Sequence, residues 1–175
     1  MVEANLIDGC LKNDRIAQRE LYNKYKDAMF TLAYRITGDF AKAEDVLQDA
    51  FVKVFKNLHA FRRESTLGAW IKTIVIRTAY GLLRKEKVKF DDIEDLSLDS
   101  FFEQITVLDT EYLEKAIMSL PEGYRAIFVL IEIEGYSHKE VAEKLNISVG
   151  TSKSQLFHAK KKLRAMLEEE NVNGD

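Results

Sequence analysis

One proline in 175 residues, Pro121, and only eight glycines leave this chain with few points where helical hydrogen bonding must stop. Proline removes a backbone donor and clashes with the preceding turn, and glycine loses the most backbone entropy on ordering. Long uninterrupted helices are therefore the first expectation. A hydrophobic content of 46% against 31% charged residues supplies a core and excludes disorder on composition. At roughly 100–200 residues per domain, the length allows one ordinary domain or two small ones. The single cysteine, Cys10, excludes an intrachain disulfide framework and a multi-cysteine zinc site, which fits a reducing compartment. Met1–Asn5 has neither a basic flank nor a following apolar core, so no signal peptide is expected. The longest apolar run, Ala126–Ile131, has six residues, against about 18 for a membrane span. The expected product is a soluble, cytoplasmic, all-α protein.

A net charge of −3 conceals a blockwise layout. Residues 1–90 carry 17 bases against 11 acids, residues 91–110 seven acids and no base, and residues 111–175 nine bases against 11 acids. Within the last block, Ser148–Leu167 holds Lys153, Lys160, Lys161, Lys162 and Arg164 and no acid. Local basic faces decide contact with phosphates, more than the overall charge. The acidic segment also breaks helical periodicity, so it reads as a linker between two helical modules.

In the first module, Leu21, Tyr25, Ala28, Met29, Leu32 and Ile36 recur at three and four residues, predicting a helix over Arg15–Thr37 that Gly38 ends. Asp39 is suited to cap a second helix with a stripe of Leu47, Ala50, Phe51, Val54, Phe55 and Leu58. Glu44, Asp45, Gln48, Asp49 and Lys53 fall mostly on the opposite face. After the polar loop Phe61–Thr66, Ser65 or Thr66 can cap a third helix running to about Lys87, with Leu67, Trp70, Ile71, Ile74, Val75 and Leu82 as apolar positions. Aromatics beside bases at Phe61–Arg63 and Trp70 suit stacking on unpaired nucleotides, although Trp70 also lies on an apolar stripe that would serve as core.

The second module reads as a helix-turn-helix. Pro121 opens a helix that runs to Glu134 and stops at Gly135. Ser137-His138-Lys139-Glu140 is a capping box for a short helix with Val141, Ala142 and Leu145 inward. Asn146-Ile147-Ser148 is a tight turn, and Ser148 can cap a last helix to about Glu169. There Leu156, Ala159, Leu163 and Leu167 share one face, while Lys153, Ser154, Phe157, His158 and Lys161 share another that suits a major groove. A purely structural helical hairpin would show the same capping, but would not need Phe157 among small and basic residues.

Seven stretches, in order and spacing, resemble the extracytoplasmic-function (ECF) subgroup of the sigma-70 family, bacterial RNA polymerase sigma factors. They are Leu21–Tyr25, Tyr34–Asp39, Ala43–Phe51, Phe61–Trp70, Leu83–Lys85, Leu120–Glu122 and Gly150–Ser154, and the likeness spans about Asn13–Leu167. It implies a sigma2-like helical bundle over 1–90, an acidic linker over 91–110 and a sigma4-like helix-turn-helix domain over 111–175. It also implies a transcription initiation factor that directs core RNA polymerase to promoters. Asp45, Gln48 and Asp49 would dock on the β′ clamp helices, and the second module on the β flap. Phe61, Arg62, Arg63, Trp70, Lys72, Arg77, Arg84 and Lys85 would capture and melt the −10 element. Thr151, Lys153, Ser154, Gln155, Phe157, His158 and Lys161 would read the −35 element. The linker would thread toward the RNA exit channel, and an anti-sigma factor would wedge between the modules.

The chain departs from the family at several positions. Arg77 and Gly81 stand where the family often carries Asn and Asp, and Ser152-Lys153-Ser154-Gln155 and His158 replace its usual Val-Lys-Ser-Arg and Arg. Gly81 weakens its helix by roughly 1 kcal/mol relative to alanine, while the amide of Gln155 can still pair with adenine. No catalytic constellation, phosphate loop or metal-ligand spacing occurs, so no enzyme activity, cofactor or metal is expected. Two rivals remain at this level: a sigma-like regulator that does not melt DNA, and a helix-turn-helix repressor with an N-terminal dimerisation module.

Overall fold

The computed structural model describes residues 2–86 and 110–173, all helical or in connecting turns. Contacts divide the chain into two compact units, residues 1–82 and 83–175. The acidic segment falls outside the described residues except for Thr110.

The first unit contains α1 (Glu3–Leu11), α2 (Arg15–Thr37), α3 (Phe40–Asn57) with a 3-10 turn at Leu58–Ala60, and the start of α4 (Leu67–Lys85). The starts of α2, α3 and α4 are each fixed by a short polar side chain accepting an otherwise unpaired amide, whereas Val2 before α1 supplies none. Asp14 accepts from the Ile16 amide at 2.9 Å, Asp39 from Lys42 at 2.9 Å, and Thr66, rather than Ser65, from Ala69 at 3.2 Å. Gly38 takes the left-handed conformation (φ 69°), and its amide returns to the Tyr34 carbonyl. The α2 stripe is buried at Leu21, Met29, Leu32 and Ile36, whereas Ala28 is exposed. The α3 stripe is buried at Leu47, Ala50, Phe51, Val54 and Leu58, joined by Ala43 and Val46.

Helix α1 was not expected from the sequence. It buries Leu6, Ile7 and Cys10, and Glu3 at its start receives hydrogen bonds from Lys24 at 2.9 Å and the Tyr25 hydroxyl at 3.1 Å. Burial raises the Cys10 thiol pKa, with Asp14 adding to the effect. At the α1–α2 crossing the helices meet at Gly9, where a Cβ would lie 2.6 Å from the Ala17 Cβ.

The second unit contains α5 (Thr110–Met118), α6 (Glu122–Phe128) with a π-helical turn over Val129–Ile133, α7 (His138–Leu145) and α8 (Val149–Asn173). Pro121 sits one residue before α6, in extended geometry. The expected single helix to Glu134 ends instead in the π turn, closed by Glu134 N–H to the Val129 carbonyl at 2.9 Å. Gly135 (φ 76°) stops it, with Tyr136 N–H reaching back to Leu130 at 3.0 Å. Arg125 is buried and donates to the carbonyls of Met118 and Leu120 at 3.1 and 2.9 Å, satisfying the end of α5.

The crossing at Gly9 yields a direct test. Gly9→Ala must push two helix backbones apart, because the Ala17 methyl cannot rotate away. We expect a loss of about 1–3 kcal/mol in urea unfolding, while a Gly9→Ala, Ala17→Gly double variant recovers most of it.

Candidate nucleic-acid interface

Three surfaces carry the residues singled out in the sequence: one on α3, one on α4 and the loop before it, and one on α8. On α3, the burial of Ala43, Val46, Leu47, Ala50 and Val54 turns Asp45, Gln48 and Asp49 outward, and all three are exposed. Val52 shares their side of the helix and is 52% exposed. The sequence reading missed it, although its spacing of three and four residues from Asp49 and Gln48 carried the signal.

The second surface begins where the 3-10 turn releases the chain. Phe61 N–H reaches Leu58 at 3.1 Å, and the Phe61 ring lies 5.3 Å from the Trp70 ring at a 46° tilt. Arg62 and Arg63 are exposed in the loop between them, and Arg63 holds a positive φ of 59°, uncommon outside glycine. The tryptophan is half-buried, so it is neither a wholly internal core residue nor a free platform. Arg77, Arg84 and Lys85 are exposed farther along α4 and share Trp70's side of the helix. Lys72 does not: two residues from Trp70, it lies about 200° around the axis, off the aromatic-basic stripe. Lys53 of α3 donates to the Thr78 hydroxyl at 3.1 Å, bracing α4 on its other flank.

The helix-turn-helix is assembled by caps. Ser137 and Glu140 form the reciprocal box, with Ser137 Oγ accepting from the Glu140 amide at 3.2 Å and Glu140 accepting from the Ser137 amide at 2.8 Å. Those bonds stabilise the ionised Glu140 carboxylate and lower its pKa. Asn146 closes α7 in left-handed geometry, and Ser148 Oγ accepts from the Thr151 amide at 2.9 Å to start α8. His138 Nδ1 meets Ser152 Oγ at 2.8 Å, tying the start of α7 to the first turn of α8. Glu132 pairs with Lys160 at 2.9 Å and braces α8 against the π turn.

The expected polar face of α8 is only partly a surface. Lys153 and Lys161 are exposed; Thr151, Phe157 and His158 are half-buried. Ser154 is buried and donates to the Thr151 carbonyl at 3.1 Å. Gln155 is 0% exposed, and neither amide atom has a hydrogen-bond partner. Gln155 shares a buried row with Ser152 and Ala159 at spacings of three and four, beside the Leu156–Leu163 core face. The surface placement expected for Ser154 and Gln155 is therefore corrected, and the adenine-pairing amide is not presented outward. His158 stacks on Tyr124 of α6, with centroids 5.6 Å apart, and meets the edge of Phe157 at 5.4 Å. Tyr124 was missed because no local spacing links it to α8.

Among the described residues, no group of three or more His, Cys, Asp or Glu could hold a metal ion, and no helix is long and apolar enough to cross a membrane.

Residues 21–88 match Sigma-70 region 2, and residues 110–163 match Sigma-70, region 4. The RNA polymerase sigma-H factor of Pseudomonas aeruginosa is 30% identical over 95% of this chain and 94% of its own. The ECF RNA polymerase sigma factor SigW of Bacillus subtilis is 29% identical over 89% and 91%. Among solved structures, the sigma factor RpoE of Bartonella quintana, crystallised with the anti-sigma factor NepR, superposes with a TM-score of 0.58 at 26% identity, over 86% of this chain and 96% of that one. The chain belongs to the sigma-70 family of RNA polymerase sigma factors, in the ECF group, and is a transcription initiation factor.

The His138–Ser152 contact generates a pH prediction. Burial, then the cations Lys153 and Lys160, hold the His138 ring below the ordinary histidine value of 6.5, with Glu132 opposing them. The unfolded chain therefore takes up a proton near 6.5 that the folded chain resists, so stability rises with pH through that window. Urea unfolding followed at α7 amides should weaken between pH 7.5 and 5.5, and His138→Gln should flatten the slope. Identical slopes for both proteins would contradict this.

Proposed function

We propose that this sigma factor uses its three surfaces separately. The α3 face of Asp45, Gln48 and Asp49, with Val52 among them, docks on core RNA polymerase at the β′ clamp helices, and the second unit on the β flap. Acceptors around a small exposed apolar centre suit a protein partner, since charge steers encounter and apolar burial holds it. Phe61, Arg62, Arg63 and Trp70 take up unpaired bases of the −10 element, with Arg77, Arg84 and Lys85 along the phosphates. Lys72 is left out of that set on its position around α4. Thr151, Lys153, Phe157, His158 and Lys161 contact the −35 element, while Ser154 and Gln155 require rearrangement before touching DNA. In this reading residues 1–90 form the docking and melting module, 91–110 a linker and 111–175 the −35 module.

The observation that carries the proposal is the capped helix-turn-helix with Lys153 and Lys161 exposed on its second helix. It is supported by full-length likeness to named sigma factors. The complex of RpoE with NepR supports an anti-sigma factor as a further partner. The protein performs no chemistry of its own and works in the cytoplasm.

Transcription in vitro from genomic template tests the reading. Wild-type protein with core polymerase should give promoter-dependent transcripts with permanganate-reactive thymines, and Asp49→Lys should lose core binding by at least about tenfold. Transcripts that do not depend on the added protein would overturn it. In DNA binding, Lys161→Ala should weaken cognate and random sequence alike and reduce the salt slope by about one. Phe157→Ala should instead lower the ratio between them.

A further inference from the structure

Half-buried Gly81 is the one position on the aromatic-basic stripe of α4 where a side chain is missing, and nothing in the described structure requires it. A Cβ added there meets no atom within 4 Å, and the residue does not adopt a positive φ. Glycine inside a helix is disfavoured relative to alanine, so neither packing nor backbone conformation favours it here. Around the bare turn stand Arg77 four residues before, Arg84 three after and Lys85 four after, all exposed. At those spacings their Cβ atoms lie about 5–6 Å from the position a Gly81 Cβ would take. The stripe also continues to the Phe61–Trp70 ring pair, 11 residues up the helix from Gly81, about 16 Å along the axis.

We propose that Gly81 is a backbone notch in which a nucleic-acid phosphate lies directly against α4, with Arg77, Arg84 and Lys85 closing around it. The inference rests on the reading of α4 as the −10 face and adds to it a specific seat and a reason for the glycine. A point charge held among three cations gains from close approach, and any side chain at position 81 holds it farther out. A glycine is what allows a backbone to approach a ligand this closely.

The experiment uses the full chain bound to core polymerase and a labelled oligonucleotide duplex with an unpaired −10 segment, read by anisotropy at several salt concentrations. Gly81→Ala and Gly81→Gln should both keep helical circular dichroism and unfold no earlier than wild type. Binding should nevertheless weaken, about threefold for Gly81→Ala and about tenfold for Gly81→Gln. An Arg84→Ala, Lys85→Ala double variant serves as the control. If it binds as tightly as wild type, the −10 reading of α4 fails and the notch with it. If the control weakens binding and flattens the salt dependence while both Gly81 variants bind as wild type, only the notch is overturned. Should Gly81→Gln fold poorly, Gly81→Ala decides alone, since alanine is the residue a helix favours most.

Discussion

Each described helix begins with amides that no helical carbonyl can reach, and at five of the eight α-helices a short polar side chain takes one of them. Asp14, Asp39, Thr66, Ser137 and Ser148 answer that constraint, each accepting an amide in the first turn of the helix it precedes. A cap of this kind contributes about 1 kcal/mol, but its larger effect is geometric. It fixes where each helix starts. The acceptors of α3 and the lysines of α8 point outward because the apolar stripes of those helices are buried on their other sides. The short Asn146–Ser148 turn works only because Asn146 tolerates left-handed geometry.

The two nucleic-acid faces are built on different terms. On α4 an aromatic pair and exposed cations lie along one side, so stacking and charge are available together. On α8 the cations are outward, but their polar neighbours are not. Ser152, Ser154 and Gln155 are buried, and Gln155 leaves both amide atoms unpaired. An unsatisfied buried amide costs on the order of 1–3 kcal/mol. Tyr124 of α6 and the Glu132–Lys160 pair at the π turn hold α8 against the core of the unit.

Much of this was legible in the sequence because its signals are local. Hydrophobic spacing gave α2, α3 and α4, and polar residues before each run gave their starts. The capping box and the Asn146 turn gave the helix-turn-helix. Helix α1 was missed because it is short and is held by burial of Leu6, Ile7 and Cys10 in the first unit, with Glu3 reaching Lys24 and Tyr25 more than twenty residues away. The π turn was missed for a similar reason: the pattern of apolar residues through Ala126–Ile131 reads the same in an α or a π turn.

The sequence by itself determined the helical class, two modules, the starts of α2, α3, α4, α7 and α8, and the family, since each depends on spacing, breakers and caps within a few residues. Only the tertiary structure decided which polar residues are presented. Helical spacing gives an angle around an axis, but burial depends on what packs against that angle. Gln155 is closed into a buried row, and His158 lies against Tyr124 of α6. These outcomes depend on neighbours distant in the chain, and no periodicity along one helix can encode them.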